Sequence, residues 1–255
     1  MKILHLSDLH LVDPDRSPTS ADAARAIAAG LKCVLGTHSD SDLCVISGDI
    51  AEDGEPAVYE FLRAHLGQST MQQVLMLGNH DNRDVFLDVF GINGVDANGF
   101  VQSKIDAGGY LFLSLDTVEE GSDAGGLCEK RLDWLAACLD DAGDRPVILA
   151  MHHPPFDVGD PIMDPIKLQN PGDLARVLDQ ASTVQHILFG HIHRASTYSW
   201  NGIICTSVPA FKPNAATPSE MSGPMVGVLE FSDGQIAKRV DVIPQTLGRD
   251  PQEGD

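Results

Sequence analysis

Five times along this chain a short apolar run stops at a cluster of His, Asp or Asn residues. Residues 3–6 end at Ser7-Asp8-Leu9-His10, 43–46 at Ser47-Gly48-Asp49, and 74–77 at Gly78-Asn79-His80-Asp81. Residues 147–150 end at Met151-His152-His153-Pro154, and 187–189 at Gly190-His191-Ile192-His193. Runs this short, bounded by polar residues and glycine, read as buried strands. Helical stretches separate them. An Ala-rich one at 21–35 is capped by Thr19 or Ser20, another at 56–66 has Pro56 in its first turn, and further ones lie near 132–139 and 173–179. The alternation predicts a layered α/β domain. Residues 100–105 and 110–115 read as a hairpin turning at Gly108-Gly109. Residues 196–200, 203–207, 225–231 and 235–242 read as strands and hairpins, and 249–255 as a frayed polar tail.

In α/β sheets ligands sit beyond the carboxyl ends of the strands, so five such loops can converge on one rim. A single histidine at a strand end is unremarkable core chemistry; the same placement at five strand ends points to a site. The donors are carboxylate, amide and imidazole with no thiolate. That set suits Mn, Fe, Co or Zn in a working centre better than a Cys-rich structural zinc. Asp8-x-His10 and His191-x-His193 set alternate residues on one side of an extended loop, so each pair can face one cavity. There are more donors than one ion needs, which suggests two ions about 3.5–4 Å apart sharing a carboxylate. Asp49, alone in its loop behind Gly48, is the expected bridge.

Charge bounds the substrate. The 255 residues carry 17 Lys+Arg against 37 Asp+Glu, a formal net charge of −20. Such a surface argues against a nucleic-acid polymer and against anionic membranes as partners, and leaves room for a small phosphate ester in one locally positive pocket. The five cysteines are odd in number and form no Cys-x-x-Cys pair, so reduced thiols are expected. Asp8 and His10 interrupt the apolar stretch a secretory signal needs, and no apolar window reaches membrane-spanning length. A cytoplasmic protein is the expectation.

Taken in order over residues 8–193, Asp8-x-His10, Gly48-Asp49, Gly78-Asn79-His80-Asp81, His152 and Gly190-His191-x-His193 resemble the calcineurin-like metallophosphoesterase superfamily. Met151-His152-His153-Pro154-Pro155 and Met163-Asp164-Pro165-Ile166 resemble its bacterial class III cyclic-nucleotide and glycerophosphodiester phosphodiesterases. The resemblance implies an α/β fold, a four-layer α/β/β/α sandwich of two mixed sheets flanked by helices, with metal-binding loops at strand ends and small C-terminal hairpin additions. Residues 1–208 would form the catalytic domain, and 209–255 a lid or hairpin segment completing the second sheet of the same domain. It implies Asp8, His10, Asp49 and His193 on one metal, and Asp49, Asn79, His152 and His191 on the second. Two divalent ions are implied, Mn or Fe favoured and Co or Zn the other choices. His80 would contact the phosphoryl oxygens or protonate the leaving group, and Asn79, His193 and His153 are further candidates for substrate contact. Of the adjacent His152 and His153 only one should be a ligand. His152, the first residue able to leave its strand and the match to a His-x-Pro pattern, is favoured; His153 would point away, bind substrate or meet a carboxylate behind the ligands.

The implied activity is hydrolysis of small phosphodiesters (3′,5′- or 2′,3′-cyclic nucleotides, glycerophosphodiesters) by metal-activated hydroxide. A phosphodiester is an anion that repels hydroxide, so cations must both supply the nucleophile at neutral pH and neutralise the phosphoryl oxygens. The alternatives are a phosphomonoesterase or a protein phosphatase on the same fold. A DNA nuclease is disfavoured by the charge, and a non-catalytic scaffold by every expected ligand position being filled. The resemblance leaves a homodimer or higher homo-oligomer as a candidate assembly, with the region from Ser196 onward as the place for its contacts; the sequence does not name the oligomeric state. Arg16, Arg83 and Arg194 lie in or just beyond the motif loops and are candidate phosphate clamps against ordinary surface pairing. Trp134 reads as core, and Phe211, within 209–224, as a candidate lining of a substrate lid. His5, His38, His65 and His186 receive no role.

Overall fold

The computed structural model describes residues 1–67, 69–212, 224–232 and 235–242. A strand covered on both faces must be apolar throughout, and Leu43–Ser47, Tyr110–Ser114 and Val147–Met151 are buried at every residue. They are the inner strands of two mixed sheets. In the first, β1 (Lys2–Leu6), β2 (Leu43–Ser47) and β3 (Gln72–Met76) run parallel. In the second, β5 (Tyr110–Ser114), β6 (Val147–Met151), β7 (Val184–Phe189) and β9 (Ile203–Ser207) run parallel, edged by antiparallel β4 (Ser103–Ala107) and β8 (Ser196–Trp200).

Alternate residues of each strand serve different cores. Leu4, Leu6, Cys44 and Ile46 pack under helices α1 (Pro18–Thr37), α2 (Pro56–Leu66) and α3 (Arg83–Phe90). Leu113, Leu149, Ile187 and Phe189 pack under α4 (Glu129–Ala142) and α5 (Pro171–Leu178), with Trp134 against them as expected. Ile3, Val45, Val74, Phe112, Ile148 and Leu188 meet between the sheets. The result is the expected α/β/β/α sandwich.

The differences from the sequence reading have local causes. Helix α1 begins three residues before the expected start, because Ser17 forms a capping box with Ser20 and Pro18 occupies the first turn. Helix α3 was not anticipated: of its eight residues only Phe86 is buried, so its apolar stripe is too thin to stand out. The hairpin expected to complete the second sheet extends the first instead. β10 (Met225–Ser232) pairs antiparallel with β1 and carries β11 (Gln235–Val242) outward. It is held there because Val226 and Val228 join the core under the first-sheet helices while Leu229 and Phe231 enter the space between the sheets. Phe211 is no lid residue: it is fully buried in the core with α1. Most of the proposed lid, residues 213–223, and the tail lie outside the described residues. Among the described residues no helix is long and apolar enough to cross a membrane.

Candidate metal centre

All five clusters follow parallel strands, so their loops leave the sheets at one rim, and hydrogen bonds tie them together. Asp8 N donates to Gly48 O at 3.0 Å, His10 N to Asp49 O at 2.9 Å, and Gly190 N to His152 O at 3.1 Å. Across the sheets, His191 N donates to Asp8 Oδ1 at 3.0 Å. The backbone is bent hard to do this. Asp8, His10, Asp49, His191 and His193 all have φ between 45° and 70°, and among the described non-glycine residues only Asn201 joins them on that side. Left-handed backbone at a residue with a Cβ costs of order 1–2 kcal/mol, and it persists where surrounding contacts impose it. Two glycines make the close approach feasible. A Cβ on Gly48 would lie 2.5 Å from His152 Nδ1, and one on Gly78 would collide with Asp49 Oδ1.

Asp49 stands at the middle. Its Oδ1 accepts from His80 N at 3.1 Å, leaving Oδ2 3.5 Å from His10 Nε2 and 3.4 Å from His152 Nε2. On one side Asp8, His10, Asp49 and His193 offer donor atoms that all lie within 4.8 Å of one another. His10 Nε2 is 2.9 Å from His193 Nε2, which in turn is 3.5 Å from Asp8 Oδ1. On the other side His152 Nε2 and His191 Nδ1 converge on Asn79 Oδ1, at 3.3 and 3.1 Å. Donors bound at about 2.1 Å to one ion are separated by about 3.0–3.4 Å, so these spacings fit a cation on each side of Asp49. Asp8 Oδ2 is buried without a partner, as a ligand oxygen awaiting a cation would be.

Protonation agrees with that fit. Burial pushes His10 and His191 down to about 3 and His193 to about 4, leaving neutral imidazoles. Burial, aided by the charge of Asp49, raises Asp8 to about 7. His152 goes the other way. Burial opposes its charge, but Asp49 and then Asp8 overcome this and raise it to about 9. Asp49 is likewise penalised by burial yet held below the usual carboxylate range by His152 and His10. A proton on His152 thus balances Asp49 where a cation would otherwise do so, and metal binding would release it.

Partners behind the donors set which nitrogen faces inward. His152 Nδ1 donates to Ser47 O at 2.8 Å and His10 Nδ1 to Glu52 Oε2 at 2.8 Å, turning both Nε2 atoms to the centre. His80 Nδ1 donates to Glu52 O at 2.8 Å, and its ring lies against His10, 4.8 Å between centroids. Burial lowers His80, but the Glu52 carbonyl and Asp49 outweigh it and shift the imidazole upward. Asn79 and His80 are among the residues lining an open cleft of about 320 Å³.

The second histidine of the pair is elsewhere. His153 is fully buried, with Nδ1 2.8 Å from Thr117 Oγ1 and Nε2 3.2 Å from Asp123 O. Its donor atoms also group with those of His152 and His191, but both ring nitrogens already have partners. It therefore packs behind the ligands and is not positioned to meet substrate. The three arginines are also occupied. Arg16 pairs with Asp53 and Glu55, Arg83 forks onto Asp116 at 2.8 and 2.9 Å, and Arg194 pairs with Asp160. Two residues that matter here carried no role in the sequence reading. Glu52 orients His10, and Asp81 accepts from Gly78 N, Ile50 N, Ala51 N and Tyr59 Oη, which holds the second and third loops in register.

Comparison with known proteins bears on the family. The family model Calcineurin-like phosphoesterase matches residues 1–195. A protein of Rhodopseudomonas palustris named "Probable cyclic nucleotide phosphodiesterase" is 35% identical over 206 residues, 80% of this chain and 75% of that one. Glycerophosphodiester phosphodiesterase GpdQ of Enterobacter lignolyticus is 30% identical over 82% of this chain and 77% of its own. Among solved structures, a dimetal phosphatase from Danio rerio superposes with a TM-score of 0.72 at 16% identity, covering 94% of this chain and 95% of that one, which speaks for the fold.

Proposed function

Because this chain belongs to the calcineurin-like phosphoesterase family, we propose that it is a dinuclear metal-dependent hydrolase of small phosphodiesters, cyclic nucleotides or glycerophosphodiesters. The observation that carries the reading is Asp49 Oδ2, placed between His10 Nε2 and His152 Nε2 with a separate donor group on either side. Asp8, His10, Asp49 and His193 would hold one ion, and Asp49, Asn79, His152 and His191 the other. The oxygen and imidazole donors favour Mn or Fe, with Co or Zn as substitutes. All five cysteines are free, which fits a reducing, cytoplasmic setting.

Two divalent cations held there would supply Lewis acidity, making hydroxide available near neutral pH and offsetting charge on the phosphoryl oxygens. The chain's own residues do the rest. Asn79, a neutral donor, limits the negative charge facing the substrate. His80, its Nδ1 fixed by the Glu52 carbonyl, can present a protonated Nε2 to the departing alkoxide. Glu52 and Ser47 O hold His10 and His152 in the tautomer that turns Nε2 inward.

The deciding assay compares turnover of 3′,5′-cAMP, 2′,3′-cAMP, glycerophosphodiesters and phosphomonoesters after reconstitution with Mn, Fe, Co or Zn. Diester turnover that vanishes on chelation and returns on reloading is expected. Turnover of monoesters alone, or rates indifferent to chelation, would overturn the reading.

A further inference from the structure

The rim carries a cation outside the family motifs. Strand β9 ends at Ser207, paired with Phe189 at the end of β7. Four residues later Phe211 N donates to Ser7 O at 2.8 Å, at the end of β1, and the Phe211 ring is fully buried. Residues 208–211 therefore form a strap from the second sheet to the first. Its attachment points lie at strand ends that lead into the donor loops: Phe189 precedes Gly190-His191, and Ser7 precedes Asp8. Both ends of the strap are fixed, since Val208 is fully buried too. Lys212 is the next residue, exposed, and its position follows from the Phe211 anchor beneath it. Ser207 Oγ, where the strap begins, donates to Arg194 O at 2.8 Å, directly after His193, and Ser7, where it ends, directly precedes Asp8, so the strap is tied at both ends beside donors of the Asp8, His10 and His193 group. His193 is the most open of the donors on that side, its side chain 36% exposed, so substrate can approach there.

Arg16, Arg83 and Arg194 are committed to carboxylates, so none of the three is free to clamp the phosphoryl group. We propose that Lys212 is a substrate-binding residue whose ammonium holds a non-bridging phosphoryl oxygen on the His10–His193 side of the centre. The proposal deepens the phosphodiesterase reading and rests on it. A lysine suits this place: its ammonium is a point charge on a flexible stem, able to follow one oxygen without the fixed fork of a guanidinium. In a chain of net charge −20 such a cation also gives an approaching anion a local attraction that the bulk surface denies it.

Inorganic phosphate is the probe, titrated calorimetrically into the Mn-loaded protein with metal content measured on the same samples. Lys212→Ala should weaken phosphate binding by about tenfold or more, the scale of one charge-assisted contact. Lys212→Arg should stay within a few-fold of the parent, and metal content should not change. The affinity of Lys212→Ala should also depend less on salt. In turnover of bis(4-nitrophenyl) phosphate, KM should rise more than kcat falls. Equal phosphate affinity in the parent and Lys212→Ala would overturn the proposal, as would loss of metal together with phosphate, which would make Lys212 a structural support. Failure of the underlying reading looks different. Metal-loaded parent protein would hydrolyse no diester, while the phosphate affinities would still decide the role of Lys212.

Discussion

Asp49 divides its carboxylate between two tasks: Oδ1 accepts from His80 N while Oδ2 faces His10 and His152. Removing it takes a donor from both proposed sites, whereas removing Asn79 takes one from the second site only. Asp49→Ala should therefore lose both metals and at least about a thousandfold in turnover, and Asn79→Ala should retain about one metal per chain. Metal analysis after stripping and reloading checks this, and full activity of Asp49→Ala sinks the two-ion arrangement. His80 is tested through the leaving group. His80→Ala should slow esters of poor leaving groups by about a hundredfold or more and nitrophenyl esters far less, because general acid catalysis matters most for a basic alkoxide. Equal losses for both would leave His80 only an orienting role. Every proposed ligand was legible in the sequence because each sits in a short motif at a strand end. Glu52 was not: it touches His10 across 42 residues of chain, and nothing in its own neighbourhood marks it. Nor was the fate of His153, since only the buried contacts with Thr117 and Asp123 show which of two adjacent histidines turns away.

At the scale of the elements, the centre depends on loops that turn back sharply after straight strands. Gly48 has φ of 101°, and a Cβ there would lie 2.5 Å from His152 Nδ1 and 2.8 Å from Gly78 N. Gly48→Ala should lower stability by at least about 2 kcal/mol and disturb metal content, because neither backbone nor ligand can yield. Gly36, inside α1 with nothing within 4 Å of an added Cβ, is the control. Gly36→Ala should be neutral or stabilise by about 0.5–1 kcal/mol through helix propensity. Thermal melts of the two variants should move in opposite directions; a Gly48→Ala melt matching the parent would show that the loop has slack. The strands and long helices could be read from apolar runs and from Pro56 at a helix start. Helix α3 and the sheet joined by β10 could not. The first has too little buried surface to mark it, and the second depends on which edge, β1 or the second sheet, the hairpin finds in three dimensions.

For the whole molecule, the two sheets enclose polar groups as well as hydrocarbon. His5 and His186 are fully buried; their Nε2 atoms lie 2.8 Å from Ser47 Oγ and Thr206 Oγ1, and both Nδ1 atoms lack a partner. Nearby, Lys238 Nζ reaches from β11 to Ser196 O and Ser207 O at 2.9 and 2.8 Å, bracing the first sheet against the second. Burial first, and then the charge of Lys238, pushes His5 down to about 3 and His186 to about 4. In the unfolded chain both would titrate near 6.5. Below that pH the unfolded chain binds protons that the folded chain refuses. The stability these residues contribute is therefore whole above pH 6.5 and is lost as the pH falls towards 3–4, by up to about 1.4 kcal/mol per pH unit for each. Urea midpoints of the parent, His5→Gln and His186→Gln between pH 5 and 8 measure this. Protonation of the metal ligands contributes equally to all three proteins and cancels in the differences. Each variant should lose less stability on acidification than the parent. Parallel curves would mean that both imidazoles accept protons between the sheets, with their free Nδ1 atoms reached by water.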